Sequence, residues 1–170
     1  MSASDANIPS EIAVLRQQAG IIDAVLRTNL EGISHSESLI TPRPAGNCLN
    51  WIVGHLVHGY EQALPHLGQE RVLAPGALER YARGSAPLEG PEDAWDIGEL
   101  LSAWAQGARR FDEGLGALTS DDLKRSQDFF GRGAQRTLRA YLSFVMFHQA
   151  YHAGQTGVVR RVVGKAGAIP

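Results

Sequence analysis

The sequence predicts an all-α protein, a four-helix bundle with long connections. Four stretches of the 170-residue chain carry apolar residues at helical spacing. Strand-like alternation is nearly absent. Proline, glycine and small polar residues collect between the four stretches, where a chain turns. Four amphipathic helices bury their apolar faces most simply against one another. The length suffices for one domain with a real core and would cramp two, so 1–170 reads as a single domain.

The first helix is expected from about Pro9 to Leu30. Pro9 suits a first turn, and Glu11 sits near the positive end of the helix dipole. Ile12, Leu15, Ala19, Ile22, Val25 and Leu26 form its apolar stripe. Residues 31–45 read as a connection. The second helix is expected from about Asn47, a plausible N-cap, to His66, with Pro65 and Gly68 marking its end. Residues 69–90 read as irregular, with one helical turn near 77–81. A connection of that length is often functional. The third helix is expected from Pro91 to Leu118, with Trp95, Leu100, Leu101, Trp104, Phe111 and Leu115 facing inward. Ser120 to Leu123 reads as a short capped turn, and 127–136 as a turn around Gly131 and Gly133. The fourth helix is expected from Thr137 to Val163, with Leu138, Tyr141, Leu142, Val145, Phe147, Val159 and Val162 at apolar positions. Gly164 ends it.

Composition narrows the function classes. The formal net charge is −2, so no basic excess points to nucleic acid. No apolar run approaches the roughly 18–20 residues that span a bilayer. The N-terminal MSASDANIPSEI lacks a cationic region followed by an apolar stretch, so no secretory signal is expected and the expected location is the cytoplasm. Cys48, the single cysteine, can make no internal disulfide and reads as a small buried thiol. Trp51, Trp95 and Trp104 read as core.

The chemistry lies in the histidines. His148 and His152 are four residues apart, so on a helix both rings lie on one face, one turn apart. That spacing lets two imidazoles share one metal ion. Gln149 stands where the zincin pattern H-E-x-x-H has its glutamate, which disfavours a metalloprotease. His55, on another apolar helix and preceded by Gly54, is the third candidate ligand. His58, three residues on, is its rival within the same helix. His35 and His66 read as solvated. Three histidines from two facing helices would leave an open coordination position. An ion there would lower the pKa of water or a thiol. Imidazole suits zinc, nickel, copper or iron. Acid would compete for the rings below about pH 6. Gln155 lies on the face of His148 and His152, where it would orient a ligand imidazole or tie two helices together. Arg83 and Ser85 read as solvated loop residues or as part of the mouth of the site.

Two segments, N-x-x-N-W-I-V-G-H-L (Asn47 to Leu56) and F-H-Q-A-Y-H-A-G-Q (Phe147 to Gln155), resemble the two signature segments of the DinB/YfiT-like superfamily. Tyr81 to Pro87 resembles the middle loop of one of its branches. The resemblance implies a four-helix bundle with a His-triad metal site, zinc or nickel being the usual ions. By position the ligands would be His55, His148 and His152. It also implies an enzyme that activates a low-molecular-weight thiol such as bacillithiol or mycothiol, or water: a thiol S-transferase or a hydrolase with a small-molecule substrate. The reading from a different class is a non-catalytic metal-binding or stress-related protein. A homodimer is expected, with helices packed across subunits.

Overall fold

The computed structural model describes residues 10–167 and Ile169. The expectations placed on Pro9 and on the first residues of the chain lie outside the described residues. Five helices form: α1 (Glu11–Leu30), α2 (His35–Ser38), α3 (Leu49–Ala63), α4 (Ile97–Gly116) and α5 (Leu138–Val162). A two-stranded hairpin, β1 (Ser126–Gln127) with β2 (Arg136–Thr137), pairs antiparallel just before α5. The all-α expectation holds, and the four long helices build the bundle.

Caps set the helix starts. The Ser10 side chain accepts the Ala13 N–H at the head of α1, and Thr137 accepts the Ala140 N–H at the head of α5. The second helix starts one residue later than expected, with Cys48 rather than Asn47 at its N-cap. It passes into a 3-10 turn over Leu64–Leu67, which Gly68 closes in the left-handed conformation at φ 70°. The third helix starts six residues later than expected. Pro91–Asp93 is an isolated 3-10 turn, and Asp96 caps α4 by accepting from Gly98 and Glu99. Tyr81 pulls the chain away in between, because its Oη accepts the Trp95 N–H at 2.8 Å. The connection 31–45 also holds more order than expected: Ser34 and Glu37 form a reciprocal capping box that starts α2.

Packing follows a ring. α1 packs on α4 and α5, and α3 packs on the same two helices. Helices consecutive among the long four, α1 with α3 and α4 with α5, therefore stand on diagonals, and reaching a diagonal position requires the long connections. α3 is the most enclosed element: every residue from Leu49 to Val57 is buried. Leu26, Leu56, Tyr60, Trp104, Phe111 and Leu142 fill the centre. Several buried polar groups are paired across helices. Asn29 donates to the Ala153 carbonyl and to Thr156 Oγ1, and the Trp104 indole donates to Asp23.

α5 departs from its expected pattern on the outer face. Phe147 is 68% exposed and Val162 48% exposed, so neither belongs to the core. Phe144, Tyr151 and Val158 are exposed beside them. At about 100° per residue these five fall within an arc of roughly 60°, a continuous apolar strip. Among the described residues no helix is long and apolar enough to cross a membrane.

Candidate metal centre

His55 enters the bundle from the middle of α3, while His148 and His152 descend one turn apart on α5. The three rings meet where α3 packs on α5. His55 Nε2 and His148 Nε2 are 3.0 Å apart, and one nitrogen from each of the three lies within 4.8 Å of the others. His55 is buried; His148 and His152 are half-buried.

Hydrogen bonds fix which nitrogens are free. His55 Nδ1 lies 2.7 Å from the Tyr81 carbonyl oxygen. A carbonyl only accepts, so Nδ1 carries the proton and Nε2 of the neutral ring presents its lone pair. His152 Nδ1 lies 2.7 Å from Gln155 Oε1, and the Gln155 amide donates to Tyr151 Oη. Nε2 of His152 is therefore also unprotonated. This is the tautomer pattern of ring nitrogens oriented for a cation. Burial, reinforced by the neighbouring charges of His152 and Arg83, holds His55 and His148 down to about 4. The Tyr81 carbonyl opposes the shift at His55 without reversing it. His152 is lowered by burial as well. All three rings are thus neutral at pH 7, the form that binds a metal. Zinc–imidazole bonds of about 2.0–2.1 Å place tetrahedral ligand nitrogens roughly 3.3–3.4 Å apart, so the donor set fits a divalent transition ion with small ring movements.

Tyr81 reaches His55 through a network the sequence did not announce. Its ring lies over Gly54 so closely that any Cβ there would overlap it. A glycine inside an apolar helix suggests close approach of another helix or a ligand; the neighbour found here is an aromatic ring from the α3–α4 connection. Tyr81 Oη donates to Asn50 Oδ1 at 2.8 Å, and Asn50 Nδ2 donates to the Trp95 carbonyl at 2.8 Å. Asn50 thus ties α3 to the middle and to the α4 end of the connection that delivers the Tyr81 carbonyl. The only local signals were Asn50 inside an apolar run and an aromatic residue in the expected turn at 77–81.

Other expectations divide. Gln155 orients the His152 imidazole, one of its two readings. Ser85 accepts the Trp51 indole N–H at 3.1 Å, and Trp51, a core residue as expected, also stacks on His55 with ring centres 4.7 Å apart. His58 lies outside the triad. Its ring is nearly parallel to that of His55 at 6.4 Å, half-buried at the wall of the adjoining cavity. His66 is not simply solvated: it is half-buried edge-on to Phe129 and Tyr141, with Gln127 Nε2 3.0 Å from its Nδ1. His35 is also engaged, accepting the Ile97 N–H at 3.3 Å. Gln149 is fully buried, and its amide donates to the Leu56 carbonyl across the α3–α5 contact. Its Oε1 has no protein donor among the described residues. Cys48 is buried, as expected.

The triad opens onto a cavity of about 1170 Å³. Trp51 and His58 line it from α3, Phe144 and Tyr151 from α5, Arg83 from the α3–α4 connection, and Phe130 and Arg132 from the hairpin. A ligand can reach the triad from this side.

A family model described as the DinB superfamily matches residues 22–156. No curated protein matches the chain. Among solved structures, the crystal structure of a conserved protein from Enterococcus faecalis superposes with a TM-score of 0.70 at 15% identity, covering 93% of this chain and 100% of that one. That likeness bears on the fold.

Proposed function

From the chain's membership of the DinB superfamily, we propose that it is a metal-dependent enzyme activating a low-molecular-weight thiol or water, as a thiol S-transferase or a hydrolase. The observation that carries this reading is the position of the triad, whose free nitrogens meet at the wall of an open cavity. His55, His148 and His152 would hold the ion, zinc or nickel being the candidates that suit imidazole. When bound, the ion supplies Lewis acidity that makes a nearby thiol or water more acidic. The protein's own part is orientation. The Tyr81 carbonyl holds the Nδ1 proton of His55, Gln155 holds that of His152, and Phe144 and Tyr151 give the cavity an aromatic side. Cys48 is not a rival nucleophile: it is buried, and burial pushes its thiol up. The thiol would come from solution.

A second reading, a non-catalytic metal-binding dimer, draws support from the exposed apolar strip on α5. Phe144, Phe147 and Tyr151 of that strip also line the cavity, so a dimer compatible with the first reading would be built mainly on Val158 and Val162. The two readings separate by chemistry. Purified protein should carry about one divalent ion per chain. Adding a thiol to cobalt-substituted protein should give a sulfur-to-cobalt charge-transfer band in the near ultraviolet, and a panel of electrophiles should then reveal turnover. A metal-loaded protein that gives neither the band nor turnover of any thiol or hydrolysable substrate would leave only the second reading.

A further inference from the structure

Arginines from two separate connections line the cavity beside the triad. Arg83 comes from the α3–α4 connection, and Arg132 and Arg136 come from the β1–β2 hairpin. Folding, not local sequence, brings them to one cavity. Among the described residues, none of the three guanidinium groups has a carboxylate within ion-pair distance. Of the other arginines, Arg16, Arg27, Arg80, Arg109 and Arg139 pair with carboxylates, and Arg71, Arg110, Arg125, Arg160 and Arg161 donate to backbone carbonyls. The carboxylate that does line the cavity, Asp128, is already engaged. It accepts N–H groups of its own turn, from Phe130 and Gly133, and these hold its pKa below the usual range.

This arrangement runs against two averages. The chain is net acidic at −2, yet the cavity lining sets three arginines against one carboxylate. Positive charge near a metal-binding triad also opposes the ion by simple Coulomb repulsion. An anion between the arginines and the triad removes both costs. Guanidinium groups pair with the flat oxygens of carboxylate and phosphate better than with other anions. Phe144, Phe147 and Tyr151 line the cavity as well, giving an apolar surface for the rest of a ligand.

We infer that the cavity binds a small oxyanion-bearing molecule, with Arg83, Arg132 and Arg136 engaging its carboxylate or phosphate and the aromatic residues its apolar part. This rests on the proposed function only in identifying the anion with the thiol or substrate of that reaction.

Calorimetric titration of the metal-loaded protein tests it with four probes at fixed ionic strength. Mercaptosuccinate carries a thiol and two carboxylates, 2-mercaptoethanol a thiol and no charge, and succinate and inorganic phosphate carry charge and no thiol. Mercaptosuccinate should bind at least about tenfold more tightly than 2-mercaptoethanol, since only its carboxylates can take charge-assisted hydrogen bonds from the guanidinium groups. Succinate or phosphate should bind alone, and whichever binds more tightly identifies the oxyanion. Arg83→Gln, and Arg132→Gln with Arg136→Gln, should each weaken the anionic probes several-fold and leave 2-mercaptoethanol unchanged. All three side chains are exposed, so the variants should melt like the parent. Equal binding of all probes, or anion binding unaltered in both variants, overturns the inference. Arginine-dependent succinate binding without a thiol charge-transfer band would keep the inference and defeat the thiol reading. A band with either thiol and no arginine dependence would do the reverse.

Discussion

His148 and His152 are separated by one helical turn, and removing either leaves two imidazoles. His148→Ala or His152→Ala should therefore abolish tight metal binding, measured as metal content after dialysis. Full stoichiometry in His148→Ala would end the assignment. His55 and His58 are the harder pair, because three residues place them only about 60° apart around α3. Periodicity cannot choose between them, and the deciding contact comes from Tyr81, 26 residues along the chain from His55. His55→Gln should lose metal at matched folding, and His58→Gln should retain it; loss in His58→Gln alone would reverse the roles. Gln155→Leu should weaken metal affinity by about 10–100-fold, the usual cost of losing the group that orients a ligand ring. Protons supply a further check. His55 and His148 titrate near 6.5 in an unfolded chain and are lowered to about 4 in the fold. Between those values the unfolded chain binds more protons, so the metal-free protein is fully stable above about pH 6.5 and loses stability as pH falls toward about 4. Urea midpoints at pH 7.5, 5.5 and 4.5 should fall in that order, and a flat profile would contradict the burial of the two rings. Acid should also begin to displace the metal at a lower pH than the expected value of about 6, because the folded rings resist protonation.

The four long helices were legible because three of them carry an apolar face that repeats over five turns or more, and α3 is apolar nearly throughout. Some of their ends were legible too: Thr137 caps α5 and α1 ends at Leu30, both as expected. The start of α4 was missed because Pro91 with Glu92 and Asp93 reads like a helix start. What ends that turn and delays the helix to Asp96 is the Tyr81 hydroxyl on the Trp95 amide. The outer face of α5 was misassigned for a different reason: Phe147 and Val162 keep the hydrophobicity of a core stripe while facing solvent. If that strip is a dimer surface, Phe147→Asp with Val158→Asp should convert a dimer to a monomer in sedimentation while the helical content measured by circular dichroism is kept. A parent protein that sediments as a monomer at all concentrations would dismiss the homodimer. Gly54 tests the α3–α4 connection. Gly54→Ala puts a methyl group into the Tyr81 ring and should cost about 1–3 kcal/mol. Gly20→Ala, on the exposed face of α1 with nothing within 4 Å of the added carbon, should be neutral or stabilising by up to about 1 kcal/mol. Similar effects of the two changes on the urea midpoint would mean that the ring does not rest on α3.

The bundle as a whole is joined at the triad, since one ligand comes from α3 and two from α5. A bound ion therefore ties together helices that are far apart in sequence. Metal at about 100-fold excess over its dissociation constant should stabilise the fold by about 2.7 kcal/mol and raise the melting temperature by roughly 5–10 °C. No shift would mean that the ion does not bridge the two helices. The number of long helices could be read from the sequence, but their order around the ring could not. Which helices become neighbours depends on connections whose folded shape rests on distant partners such as Asn50 and Trp95. The Tyr81–His55 contact carries one more consequence, for how the protein tolerates variation. The acceptor is a main-chain oxygen, present whatever residue stands at position 81. A side-chain acceptor would vanish with a single codon change. Here the tautomer of His55 is exposed to mutation only indirectly, through the residues that dock the segment. Drift at position 81 should therefore be judged by whether the new side chain still satisfies Asn50 and still lies flat on Gly54, because those two positions carry the mutational risk.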